Sequence, residues 1–437
     1  MPPTTSRLMT LLFSVSCGIS VANVYYAQPL LDALARDFGI THAAVGAVIA
    51  ATQLGCALAL LLVVPLGDLL DRRRLMLAQL GLLSAALLAV GCAPAAPLLL
   101  CGMLAVGLLG TAMTQGLIAY AAATAAPAER GRIVGTVQAG VLIGLLSART
   151  VAGLLADLAG WRAVYWTSAA LALVLAAVLW RALPAQRPAP SVGAGARPAS
   201  PMPGAGNAAP AEASTAATPA ATAPAGSMAL RYAQLLRSML AMLLNDRTLQ
   251  VRGTIAMLMF GALSIFWTAL VLPLSAPPHA LSHSAIGAFG LVGVIGALAA
   301  SRTGSMADRG LGQRTSGVAL ALLVAAWLPL AFTGQSLWAL VAGIIVLDLA
   351  GQAIHVTNQS MIFSRHPQAH SRVVGCYMMF YAAGSGLGAV ASTRMYAAAG
   401  WLGVCALGAA VSLAALLFWA ITLPRRAPAC AAYSRFS

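Results

Sequence analysis

The sequence predicts an all-α membrane protein, twelve transmembrane helices in two pseudo-symmetric six-helix bundles, and three observations predict it. Of the 437 residues, 60% are apolar and only 8% charged, where a soluble domain carries about a quarter charged residues. The apolar residues fall in blocks of about twenty, long enough for a helix to cross roughly 30 Å of hydrocarbon. A set of residues from the first half also recurs in the second at a fixed offset.

The blocks run over residues 8–31, 45–66, 75–93, 98–122, 133–156 and 161–183, and then 254–274, 286–305, 317–332, 337–361, 373–396 and 401–423. No water is available at that depth to satisfy a backbone amide, so each block is expected to be a helix. The first could pass for a secretory signal, since Arg7 precedes it and Ala33-Leu34-Ala35 resembles a cleavage site. Its length and its polar residues Asn23, Tyr25, Tyr26, Gln28 and Pro29 argue that it stays as the first span. Trp161, Tyr165, Trp338 and Trp401 stand at span ends and are expected to be interfacial anchors.

A formal charge of +15 invites a nucleic-acid partner, and the placement of the charge excludes one. All 25 basic residues are arginine. With a cytoplasmic N-terminus the outer loops hold only Arg36, Arg162 and Arg394, and Arg149 lies within a span, which leaves 21 on the inner side. Arginine-rich loops resist translocation, so the basicity reports topology. A multi-pass inner-membrane protein with both termini cytoplasmic is expected. The seven cysteines form no CxxC pair and read as small apolar fillers; no metal-ligand spacing is present and no cofactor is expected.

Four segments follow along the chain: an N-terminal six-helix bundle (1–183), a cytoplasmic linker (184–250), a C-terminal six-helix bundle (251–424) and a tail (425–437). The linker opens with a run of Pro, Ala, Gly, Ser and Thr to about residue 227 that is too poor in apolar residues to fold. Leu235, Leu236, Met239, Leu240 and Leu243 then recur at helical spacing, with Arg231, Gln234, Arg237 and Ser238 on the other side. That pattern suits an amphipathic helix lying on the inner leaflet.

The repeat relates Pro127, Arg132, Val134, Gly135, Gly144, Gly160 and Trp161 to Pro367, Arg372, Val374, Gly375, Gly384, Gly400 and Trp401, 240 residues later. Gly67, Asp71 and Arg72 recur as Gly304, Asp308 and Arg309, at an offset of 237. Six-span repeats of the same orientation place a binding site between the halves near the midplane, where access alternates as the halves rock.

The turn Gly67-Asp68-Leu69-Leu70-Asp71-Arg72 and its repeat from Gly304 to Arg314 resemble the Gly-x-x-x-Asp-Arg-x-Gly-x-Arg loop of the major facilitator superfamily, the first copy shortened after Arg72. The resemblance implies the major facilitator fold, a monomer, and a gating role for Gly67, Asp71, Arg72, Gly304, Asp308 and Arg309. Arg73 and Arg74 read as topology signals. Span 5 is similar to that of the family's proton-driven antiporters in its small residues Gly135, Gly144, Ala148, Ala152 and Gly153, with Arg149 standing where they have Pro. Span 4 lacks their arginine, having Ala112 before Gln115-Gly116, so Arg149 is expected to supply the buried cation instead. Span 1, Asn23-Val24-Tyr25-Tyr26-Ala27-Gln28-Pro29-Leu30, resembles bacterial drug:proton antiporter-type (efflux) members. The resemblance implies proton-coupled export of small organic molecules; import of a small metabolite, or a non-transporting sensor or channel, are the other readings.

An ionisable group in mid-span is costly unless it lines a cavity or is paired, which singles out Arg149 and Asp348. Asp348, Gln352, His355 and Gln359 fall at i, i+4, i+7 and i+11, on one face of span 10. Asp348 is expected either to take up and release a proton or to form a structural ion pair with Arg149; His355 either titrates with it or is a hydrogen-bonded interior histidine. Asn23, Tyr26, Gln115, Trp267, Gln352, Gln359 and Tyr381 are the candidates for the substrate cavity. A Walker loop requires lysine, of which there is none, and no HExxH or Gly-x-Ser-x-Gly occurs. An ATP-driven pump is thereby excluded, and an enzyme is not expected.

Overall fold

The computed structural model describes residues 7–125, 129–183, 228–299, 311–363 and 370–423, and every regular element among them is a helix. The expected loop residues Gly304, Asp308 and Arg309, the segment 184–227 and the tail lie outside the described residues. The first half comprises α1 (Arg7–Tyr25), which passes through a 3-10 turn (Gln28–Leu30) into α2 (Leu31–Phe38), α3 (Gly46–Leu58), α4 (Arg72–Gly91), α5 (Ala96–Thr124), α6 (Arg130–Ala159) and α7 (Trp161–Ala182). After α8 (Met228–Asn245) come α9 (Arg247–Ala269) with α10 (Val271–Ser275), α11 (His283–Ala299), α12 (Gly312–Ala325) with α13 (Trp327–Ala331), α14 (Leu337–Phe363) and α15 (His370–Ile421).

Ten segments among the described residues are long and apolar enough to cross a membrane. Two of the expected twelve crossings are accounted for separately: α15 bends at Gly400 and crosses twice, and α11 is the shorter described part of span 8. Large apolar side chains such as Ile143, Leu158 and Trp180 lie exposed on the outside of the bundle, as a lipid-facing surface requires.

The repeat is visible in the backbone. Gly160 and Gly400 both take positive φ, +81° and +63°, each between two helices and each followed by Trp. Their ψ values, 162° and −162°, put them in a region essentially reserved for glycine. The substitution Gly400→Ala is therefore expected to cost about 1–3 kcal/mol. A lower melting temperature in detergent would register it, and unchanged melting would refute the constraint.

Close packing repeats too. A Cβ on Gly144 would lie 2.2 Å from the Gly18 carbonyl, and one on Gly384 2.0 Å from that of Met257. Gly135, expected on the same face, meets nothing within 4 Å; Gly140 packs against Ser14 instead. With Arg149 in place of proline, α6 runs unbroken over 30 residues. Trp161 and Tyr165 are buried in the first half rather than anchored at the lipid surface, and Trp161 Nε1 donates to Asp37 at 3.0 Å. Trp338 is exposed, as an anchor is.

The end of the bundle with the turns at Gly39, Gly160 and Gly400 is called the far end; the end where α7 leaves and α8 begins is the linker end. The amphipathic helix is present as α8, but it does not turn its whole polar side away from the protein. Tyr232 donates to the Leu62 carbonyl at 2.8 Å, and Ser238 accepts from Arg372 at 3.2 Å, so α8 touches both halves.

Candidate transport cavity and gates

A cavity lies between the halves, lined from both of them. Its first-half wall comes from the end of α1 and the turn after it (Tyr25, Gln28), α3 (Gln53) and α6 (Leu145, Leu146, Arg149). The opposite wall comes from α9 (Phe260, Leu263, Ser264, Trp267), α11 (Gly293), α14 (Asp348, Gln352) and α15 (Tyr381, Ser385).

Arg149 is 5% exposed and held on three sides. Its Nε donates to Gln28 Oε1 at 2.8 Å, and its guanidinium carbon lies 4.1 Å from the centroid of Trp267 and 5.5 Å from that of Tyr25. A desolvated cation over an aromatic face gains about 2 kcal/mol. The Tyr25 hydroxyl is hydrogen-bonded to that of Tyr381, which also accepts from Gln53 at 3.5 Å and packs edge-on against Phe260. One chain of contacts thus runs from α1 and α3 of the first half to α9 and α15 of the second.

Asp348 faces this cation without pairing with it, since no contact within 4.0 Å joins them. Its Oδ1 accepts from Trp267 Nε1 at 3.4 Å, and its Oδ2 is buried with no hydrogen-bond partner. Oδ2 rests at the cavity wall where α11 has Gly293; a Cβ there would come 2.2 Å from it.

The expected cavity residues divide. Trp267, Gln352 and Tyr381 line the central cavity with Arg149 and Asp348. Gln115 lines a second cavity toward the linker end, with Gly67, Arg72, Gln79, Met239 and Arg372. Tyr26 points away, into the first half, where its hydroxyl meets Ser168. Asn23 Nδ2 bonds back to the Ile19 carbonyl at 2.9 Å, and Gln359 lines neither cavity. His355 bonds Tyr377 at 3.1 Å and packs on Phe260, outside the cavity lining. Arg72 ties its turn to α5 by donating to the Gly67 and Ala119 carbonyls, while Asp71 caps α4 through the Arg74 amide. Sequence reasoning missed Tyr25, Gln28, Gln53 and Gly293; the first two stand inside the quoted span 1 motif, one and two residues from Tyr26.

It also missed the far-end contact. His283, in the turn ahead of the apolar run from Ile286, places Nε2 3.0 Å from Asp32 Oδ1 and Nδ1 3.1 Å from Asp157 Oδ1. Only an imidazolium carries a proton on both nitrogens, so the geometry is that of the charged ring. The hydrogen bond to Asp32 leads in raising the His283 pKa above its usual value, with Asp157 adding to it against partial burial. Asp157 also caps α11 from the other half, accepting from the His283 and Ser284 amides at 3.1 and 2.8 Å. Thr150 donates to the Gly287 carbonyl and Thr393 to that of Ala43, and a Cβ on Gly153 would strike the His283 carbonyl at 2.1 Å. The halves therefore meet tightly at the far end. The available signal was compositional: three of only ten acidic residues, Asp32, Asp37 and Asp157, stand at the ends of far-end helices.

A duplicated bundle that is apolar outside and holds a charged cavity between its halves defines a multi-pass membrane transporter, not an enzyme. The sequence profile of the Major Facilitator Superfamily matches residues 10–303 and 252–432. The chain belongs to that superfamily. It is 37% identical over 414 residues to the uncharacterized transporter YgaY of Escherichia coli O157:H7, covering 95% of each chain. Among solved structures it resembles a bacterial homologue of the human lysosomal transporter Spinster in an inward-facing, occupied conformation, with TM-score 0.67, 14% identity, and 95% of this chain and 94% of that one covered. The nucleoside transporter NupG superposes with TM-score 0.66 at 13% identity, over 95% of this chain and all of that one (100%). At such identities the likeness speaks for the fold alone.

Proposed function

We propose that the chain is a proton-coupled exporter of small organic molecules, acting as a monomer by alternating access in a bacterial inner membrane, with the linker end and both termini cytoplasmic. The observation that carries this reading is the cavity between the halves, which holds a buried carboxylate oxygen without a partner. A proton and a hydrogen-bond donor of the substrate compete for that oxygen, so each displaces the other, the exchange that an antiporter requires. Segments 1–183 and 251–424 are the bodies that rock. The far end is held shut by His283 and its carboxylates, and the cavity lined by Gln115 leads toward the linker end. His355, seven residues from Asp348 and so about 10 Å along the helix, is the candidate relay toward that end. The concentration of arginines at the linker end supports its cytoplasmic placement.

The test is accumulation of a compound panel in a host lacking its main efflux pumps. Expression is expected to lower accumulation, a proton uncoupler to abolish the effect, and Asp348→Asn at matched expression to cut the flux about tenfold or more. Flux that survives Asp348→Asn unchanged would overturn the coupling residue, and raised accumulation would make the chain an importer.

A further inference from the structure

We propose that the central cavity takes a small zwitterion with an apolar body, its ammonium on Asp348 and its carboxylate on the terminal nitrogens of Arg149. The inference rests on reading this cavity as the transport site and adds the chemical class of what is transported.

Charge balance is the first argument. Among the described residues, Arg149 and Asp348 are the only charged side chains lining the cavity. At this depth an unbalanced charge costs several kcal/mol. A cation bound at Asp348 leaves Arg149 uncompensated by the ligand, and an anion bound at Arg149 does the same to Asp348. With Asp348 ionised, a ligand carrying one charge of each sign leaves the cavity neutral whether empty or filled, and only the proton-loaded state leaves Arg149 uncompensated.

The second argument is unspent hydrogen-bonding capacity. Asp348 Oδ2 is buried with no partner, and Oδ1 has only the 3.4 Å contact from Trp267. A buried carboxylate oxygen left bare is expensive and is expected to meet a donor. Arg149 has its Nε committed to Gln28 and its face to Trp267, and its terminal nitrogens make no hydrogen bond among the described residues. Those nitrogens form the fork that matches a carboxylate. The two residues attract each other without joining in an ion pair, so both ends remain available.

The third argument is shape. Gly293 lets Oδ2 lie against α11, where any side chain would collide with it. Leu145, Leu146, Phe260 and Leu263 supply apolar walls beside the polar pair, against which an apolar body packs.

Three probes that share one skeleton separate the possibilities: phenylalanine, with both charges; phenethylamine, with the ammonium alone; and phenylpropionate, with the carboxylate alone. Binding to the purified full chain is read by calorimetry and by the shift in melting temperature. Phenylalanine is expected to bind at least about tenfold more tightly than either analogue. Blocking one end on the ligand, as in phenylalanine amide or N-acetylphenylalanine, is expected to remove the advantage without any change to the protein. In Asp348→Asn the preference for phenylalanine over phenylpropionate is expected to vanish.

The proposal is overturned if either singly charged analogue binds as tightly as phenylalanine, or if phenylalanine is silent up to about 10 mM. Should the accumulation panel meanwhile reveal uncoupler-sensitive export of another charge class, the transport reading survives and the zwitterion falls. Should phenylalanine bind but never move across vesicles under any gradient, the reverse holds.

Discussion

Raising the pH from about 6 to about 9 is expected to loosen the far end of this transporter, because the contact that closes it needs His283 charged. Asp32 and Asp157 of the first half face the two ring nitrogens, and Arg36, at 3.0 Å from Asp32 Oδ2, is the other charged group that pairs with these carboxylates. The sign follows from the raised pKa of the closed form. Stabilisation of closure is fully present below the ordinary imidazole value of about 6.5 and is lost as the pH rises through the raised value, at about 1.4 kcal/mol per pH unit between the two. Once neutral, the ring offers one nitrogen as an acceptor to a carboxylate oxygen, which repels it. The 20% exposure of its side chain leaves His283 open to protons from solvent while the contact is made.

Spin labels on cysteines placed at Thr41 and Gln335, both exposed far-end loop positions on opposite halves, would read the opening. The population at long separation is expected to grow with pH in the parent chain and to be independent of pH in His283→Gln. The same pH profile in both would show that another group governs this end.

Removing the buried cation should have the largest effect of all. Arg149→Met deletes the bond to Gln28 and the stacking on Trp267, and leaves Asp348 buried without the positive charge that faces it. A buried charge left uncompensated at this depth costs several kcal/mol, so a marked fall in melting temperature and loss of transport are expected together. Arg149→Lys keeps the charge but has no planar fork to donate to Gln28 and stack at once, and should fall between. The double substitution Arg149→Met with Asp348→Leu removes both charges and is expected to recover the melting temperature without recovering transport. Parental melting in Arg149→Met would mean that the guanidinium does not compensate Asp348.

The sequence by itself determined the helical class, the count of crossings and the duplication. Each follows from local or strictly periodic signals: twenty-residue apolar blocks, bonded backbone at a depth without water, and the matched pairs of which Gly160 and Gly400 prove to be backbone twins. It also singled out Arg149 and Asp348, because an ionisable residue stands out in an apolar block wherever its helix is turned.

What only the tertiary structure decided was direction. Successive residues of a helix are about 100° apart, so Tyr25 faces Arg149 across the cavity while Tyr26 faces Ser168, and a shared motif cannot say which. Gln115 was expected in one cavity with Trp267 and Tyr381, yet it lines the linker-end cavity. The far-end clamp joins His283 to residues 126 and 251 positions away. No periodicity links such residues, because their meeting depends on how the two halves are docked, and that docking is set by packing at their interface rather than by any local pattern in the chain.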